Sequence, residues 1–169
     1  KPGTIDFASV PAEDKATDQQ VVVEAARIIT ELKPDVLFVH FPGVDTAGHA
    51  KGWGSSEQLA AIEEADACVG RLLAALDAAG TRSSTLIMLS ADHGGAGLTH
   101  QADDARSRTI PWIAVGPGVK QGYDLTQSRD LMMRTEDTCA TACYVLGLPI
   151  MPYFDGTPVT LAFKDPPAP

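Results

Sequence analysis

Lys33-Pro-Asp-Val-Leu-Phe-Val-His-Phe-Pro-Gly-Val-Asp-Thr-Ala-Gly-His49 is the stretch on which the reading of this chain turns. Pro34 ends any helix before it, because proline pushes the preceding residue out of the helical conformation. Asp35 to Phe41 is then a nearly continuous apolar run of strand length, the pattern of a parallel strand buried on both faces. Asp45 and His49 follow, four positions apart, just beyond that run. In open α/β sheets, ligands gather beyond the carboxyl ends of the strands.

Upstream, Val22, Ala25, Ala26, Ile29 and Leu32 recur at helical spacing, predicting a helix from about Asp18 to Lys33. Residues 1–17 carry Pro2, Gly3 and Pro11 with little periodicity and read as an irregular leading segment. Downstream, Ser55-Ser-Glu-Gln58 has the form of a capping box opening a long helix, with Gly80 placed to end it. Its apolar face is Leu59, Ile62, Ala65, Val69, Leu72, Leu73 and Leu76. Ser84 to Ser90 reads as a second strand. Ile110 to Val115 reads as a third, at an edge or beginning at Pro111. Asp137 caps a last predicted helix, Thr138 to Leu146, closed by Gly147, and residues 164–169 form a Pro-rich tail expected to be disordered. Helix and strand patterns alternate, so the expected fold is α/β: a mostly parallel sheet flanked by helices, in one domain over residues 1–169.

The chain has 169 residues, enough for one ordinary core, with 44% apolar and 21% charged residues. No apolar run approaches the roughly 20 residues that cross a bilayer. The formal net charge of −9 argues against a nucleic-acid polymer or an anionic membrane surface as partner. An anionic small substrate stays compatible with that charge only where divalent cations supply the attraction. Lys1 is not an initiator methionine, so the missing signal peptide says little about compartment. Cys68, Cys139 and Cys143 show no metal-ligand pattern beyond Cys139-x3-Cys143, and that pair, on a predicted helix, is expected to be two small buried apolar side chains.

Three of the four histidines fall in two segments that also hold aspartates: Asp45 with His49, and Asp92-His93-Gly94-Gly95 with His100 beyond. Neutral imidazole with carboxylate suits zinc, manganese or iron. An Asp-x3-His spacing puts both groups on one side of a turn. Asp92 and His93 point apart in a regular strand, so joint ligation needs the irregular backbone that Gly94 and Gly95 permit. Against this, Asp45 reads equally as a cap and Asp92 as an ordinary loop carboxylate. A Ser-His-Asp triad is disfavoured, because no Gly-x-Ser-x-Gly elbow occurs. His40, on the predicted strand, fits either a core histidine or a residue supporting the site from behind. Trp53 reads as packing beside a helix start or as a pocket wall, and Arg106 and Arg108 as solvated charge or as guanidinium groups that meet a phosphate.

Together with Gly52-Trp-Gly-Ser55, Asp92-His-Gly-Gly95, Ile110-Pro-Trp-Ile-Ala-Val-Gly-Pro-Gly118 and Glu136 to Pro149, the opening stretch resembles the type I phosphodiesterase / nucleotide pyrophosphatase branch of the alkaline phosphatase superfamily. The resemblance implies an alkaline phosphatase-like fold with its N-terminal portion missing, and a two-metal site for hydrolysing phosphate esters of small molecules. It implies a first ion on Asp45, His49 and His100, and a second on Asp92 and His93. An aspartate and a Thr or Ser nucleophile from the N-terminal half would complete the second site, and neither has a counterpart here, so no catalytic nucleophile is expected in this chain. Gln101 stands where the family commonly has glycine. Counting ligands, one ion, most simply zinc, is expected to bind firmly and the second weakly. A sulfatase of the same superfamily, or an inactive metal-binding fragment that self-associates through exposed sheet edges, are the competing expectations.

Overall fold

The computed structural model describes residues 5–9, 16–101, 103–128, 131 and 133–164. The described parts of the leading segment, 5–9 and 16–17, hold no helix or strand, and the tail beyond Lys164 lies outside the described residues. The chain divides into two compact units: Lys1–Arg82 with Gly95–Arg106, and Ser83–Gly94 with Ser107–Pro169. Among the described residues, no helix is long and apolar enough to cross a membrane.

The first unit is helical. Helix α1, Asp18–Glu31, starts at a full capping box, in which Thr17 accepts from the Gln20 backbone and Gln20 reaches back to the Thr17 N–H. It ends as Pro34 requires, with Lys33 turning the chain at φ 46°. Helix α2, Gly43–Lys51, comes next, and then α3, Ser56–Ala79. Ser55 caps α3 by accepting from the Gln58 N–H at 3.2 Å, and Gly80 ends it in the left-handed region. The Gln58 side chain reaches one residue further back than expected, accepting from Gly54 N–H at 2.8 Å. α1 and α2 both pack on α3. Val22, Ala25, Ile28 and Ile29 of α1 and Cys68 and Ala75 of α3 are buried. Leu59 and Ile62, predicted for the packed face of α3, stay exposed at 53% and 44%.

Asp35 to Phe41 departs most from expectation. The segment lies outside any strand, with Val36 64% and Phe38 86% exposed. An apolar run becomes a central strand only when neighbours hydrogen-bond both its edges, and the described residues bring none to it.

The second unit holds the two-stranded sheet. Strands β1, Ile87–Ser90, and β2, Trp112–Val115, pair antiparallel, Ile87 opposite Val115 and Ser90 opposite Trp112. The fold is α/β as read, but the sheet is antiparallel where a mostly parallel one was expected. Residues 91–111 are long enough for a parallel return, but such a return usually climbs back along the sheet on a helix. Helix α4, Ala105–Arg108, has only 4 residues, and β2 begins directly after Pro111. Along β2 burial alternates, Trp112 and Ala114 inward, Ile113 and Val115 outward. Val119, Val159, Ala162 and Phe163 form the core beneath, with Leu86, Trp112 and Ala114 packed against them.

Helix α5, Asp137–Val145, includes Asp137 in its first turn rather than capping from outside. The buried Asp137 carboxylate accepts from Arg134 N–H and Thr157 N–H, both at 2.7 Å. Thr141 extends the tie, donating to the Asp137 carbonyl and accepting from Val159 N–H at 2.9 Å. Gly156 lies so close to the Glu136 carbonyl that a Cβ has no room. Cys68 is buried; Cys139, expected to be buried with Cys143, is exposed and Cys143 half-buried, because α5 is covered mainly along the Asp137–Ala140–Thr141 face. Asp137→Ala removes the acceptor for two N–H groups, and we expect a loss of about 2–4 kcal/mol of stability in urea unfolding.

Candidate metal centre

α2 is the element that composition hid. Gly43 to Lys51 has little apolar patterning, and the sequence reads it as a loop leaving a strand. As a helix it places Asp45 and His49 at i and i+4, one above the other on one face. The first N–H groups of a helix need acceptors from outside it, and here the local cap is Pro42, whose side chain accepts nothing. Asp18, 25 residues upstream, does this work: its Oδ1 accepts from Gly43 N–H at 2.9 Å. Gly43 is required by the same contact, since a Cβ there would sit 2.6 Å from Asp18 Oδ2. Asp18 is 3% exposed, and burial raises its pKa above the ordinary carboxylate range. The Gly43 N–H and the charge of His40 oppose that shift, while Glu64 adds to it. His40 is exposed, with its charge acting on Asp18.

The segment 95–100 comes down beside α2. His49 Nδ1 lies 2.9 Å from the Leu98 carbonyl oxygen. A carbonyl only accepts, so Nδ1 carries the proton and Nε2 is the lone-pair nitrogen. Nε2 stands 3.5 Å from Asp45 Oδ1, an atom screened from solvent although the side chain as a whole is half exposed. His100 completes the group, its ring 5.0 Å from that of His49. One ligand atom each from Asp45, His49 and His100 lies within 4.8 Å of the others. Two imidazoles and a carboxylate at that spacing suit a single transition-metal ion with an open position. A proton held by a backbone carbonyl on the far nitrogen is how ligating histidines are usually oriented.

Asp92 and His93 belong to the second unit and leave β1 on irregular backbone, as joint ligation requires. His93 Nδ1 is 2.9 Å from the Gly94 carbonyl, so again Nε2 is the lone-pair nitrogen, 3.6 Å from Asp92 Oδ2. Gly94 N–H is tied to the Ser107 carbonyl at 2.7 Å.

A cleft of about 470 Å³ opens along the 96–106 segment, lined by Ala96, Gly97, Thr99, Gln101, Asp104 and Arg106. Arg106 is committed there to Asp104, with Nε and a terminal nitrogen at 3.0 and 2.7 Å from its two oxygens. That bidentate pairing agrees with reading Arg106 as a surface charge.

Comparison with known proteins gives the class first: the relatives are hydrolases and phosphotransferases of the metal-dependent alkaline phosphatase superfamily. Residues 6–111 match the type I phosphodiesterase / nucleotide pyrophosphatase family, and the chain belongs to that family. A 2,3-bisphosphoglycerate-independent phosphoglycerate mutase of Shewanella denitrificans is 31% identical over 141 residues, covering 79% of this chain and 25% of the mutase. The mutase of Shewanella oneidensis is 26% identical over 159 residues, 94% of this chain and 28% of the relative. A steryl-sulfatase of Rattus norvegicus is 34% identical over 91 residues, 50% of this chain and 16% of that protein. The chain thus spans about a quarter of the length of the mutases, with 25% and 28% covered. No solved structure matches.

Sequence reasoning missed Asp18. A carboxylate in the first turn of α1 has a sufficient local reason in the helix dipole, and nothing local announces a partner 25 residues away. Asp18→Ala is expected to cost about 1–3 kcal/mol in thermal or urea unfolding, and Asp18→Asn, which keeps an acceptor oxygen, distinctly less. The raised pKa sets the sign of the pH effect. Stability relative to Asp18→Asn is fully present below the ordinary aspartate range and lost as pH rises through the raised folded value.

Proposed function

We propose that this chain forms the C-terminal part of a single catalytic domain in a two-metal phosphoester hydrolase of the phosphodiesterase / nucleotide pyrophosphatase type. The convergence of Asp45, His49 and His100 within 4.8 Å carries the reading. In it, Asp45 Oδ1, His49 Nε2 and a His100 nitrogen hold the first ion. Asp92 and His93 contribute to a second, whose remaining ligands and Thr or Ser nucleophile lie outside these 169 residues. Bound divalent ions in such a site polarise phosphoryl oxygens and lower the pKa of the attacking hydroxyl.

The chain's own residues hold this geometry. The Leu98 carbonyl fixes the proton on His49 Nδ1, and the Gly94 carbonyl does the same for His93. α2 keeps Asp45 and His49 one turn apart, and the cleft lined by Thr99 and Gln101, the sequence neighbours of His100, offers room for a small phosphate ester. Zinc is the simplest occupant for two imidazoles and a carboxylate, with manganese and iron accepted by the same donors. The steryl-sulfatase relative supports a second reading, sulfate-ester hydrolysis at the same centre. Turnover of an aryl sulfate but not an aryl phosphodiester by the intact protein would select it.

Metal content measured by plasma mass spectrometry on the purified chain tests the centre. We expect about one zinc-like ion per chain, lost in His49→Ala and retained in His93→Ala, since three ligands hold an ion more firmly than two. An ion retained in His49→Ala but lost in His93→Ala would overturn the assignment. No bound transition metal after supplementation would leave a fold fragment without a preformed centre.

A further inference from the structure

Two of the motif glycines have a shared neighbour. Gly48 immediately precedes His49, and Gly95 follows the Asp92-His93-Gly94 run. A Cβ at Gly48 would stand 2.8 Å from both Cδ2 and Cε2 of Trp53, the fusion bond of the indole. A Cβ at Gly95 would press closer still on the same bond. The indole is therefore slotted between two backbones, one from α2 and one from the 95–100 segment, that only glycine lets approach so near.

The slot sits beside the three ligands. The Trp53 ring lies 5.0 Å from that of His49 at 86°, and 6.1 Å from that of His100 at 68°. With the His49–His100 contact at 5.0 Å, the three rings meet edge to face pairwise. The backbone repeats the tie: Trp53 N–H donates to the Gly97 carbonyl at 2.8 Å, beside the His49 bond to Leu98.

We propose that Trp53 is a positioning residue of the Asp45–His49–His100 centre, a wedge that sets the distance between the helix carrying two ligands and the segment carrying the third. The inference rests on the metal-site reading above. Trp53 donates nothing to the ion. It acts by filling the gap between Gly48 and Gly95, so that His100 has one place to stand. Without the indole, the 95–100 segment keeps its covalent connections but loses the body that spaces it from α2. An alanine at Gly95 produces the same failure from the other side, by denying the indole its seat.

Zinc affinity is measured by competition with a chromophoric chelator for the wild-type chain, Trp53→Leu, Trp53→Phe and Gly95→Ala, with helical circular dichroism as the control for folding. We expect Trp53→Leu and Gly95→Ala to weaken zinc binding about tenfold or more with the helical signal kept, and Trp53→Phe to restore most of it. In parallel, metal-free protein is examined by nuclear magnetic resonance for the proton–proton contact between the His49 and His100 rings. The contact should be present in wild type and lost in Trp53→Leu. If Trp53→Leu keeps that contact and the wild-type affinity, the wedge is refuted. If wild type binds no zinc yet Trp53→Leu loses the ring contact, the metal reading fails and the wedge stands.

Discussion

An imidazole has one lone pair to offer, and the 2.9 Å contact between His49 Nδ1 and the Leu98 carbonyl decides which nitrogen keeps it. The rest of the first unit supports that decision. α2 must be a helix for Asp45 to stand one turn from His49, and it must start at Gly43, where Asp18 receives its first N–H. Segment 95–100 must lie against α2 for Leu98 to be in place, and the bond from Trp53 N–H to the Gly97 carbonyl holds it there. Each contact is ordinary by itself. Together they bring one ligand atom each from three separated residues within 4.8 Å of one another.

Much of this was legible in the residues, and the limits are physical. Ser55, Gly80 and Pro34 acted locally as their chemistry requires, so α3 began and ended where read and α1 stopped ahead of Pro34. Asp45, His49 and His100 were recognisable by residue type and by resemblance, and those three come together. The helical form of Gly43–Lys51 was not legible, because its N-terminus is satisfied by a carboxylate far away in sequence. Trp53 gave no sign of its neighbours, since both are glycines and a glycine carries no pattern of its own. The strand reading of Asp35 to Phe41 failed for the opposite reason. Its apolar pattern is plain, but a strand is a relation between segments.

The acidity of the chain takes a different meaning beside the site. A formal charge of −9 would repel a phosphate ester at long range. Asp45 and Asp92 both belong to that excess, and both are carboxylates of the kind a divalent ion neutralises. Negative charge concentrated on ligands is a means of attracting the cation that in turn attracts the anion. On the proposed metal reading, the −9 counted over ionised side chains would be less negative with metal bound.

Val36, Leu37 and Phe38 stand exposed outside any strand, in a segment whose composition favours extended pairing. An extended segment of this kind leaves edges that a second extended segment would meet. Such pairing is a collision between copies, so its rate rises with the square of concentration while folding does not. Any pairing between copies there would therefore be favoured by concentration and disfavoured by dilution.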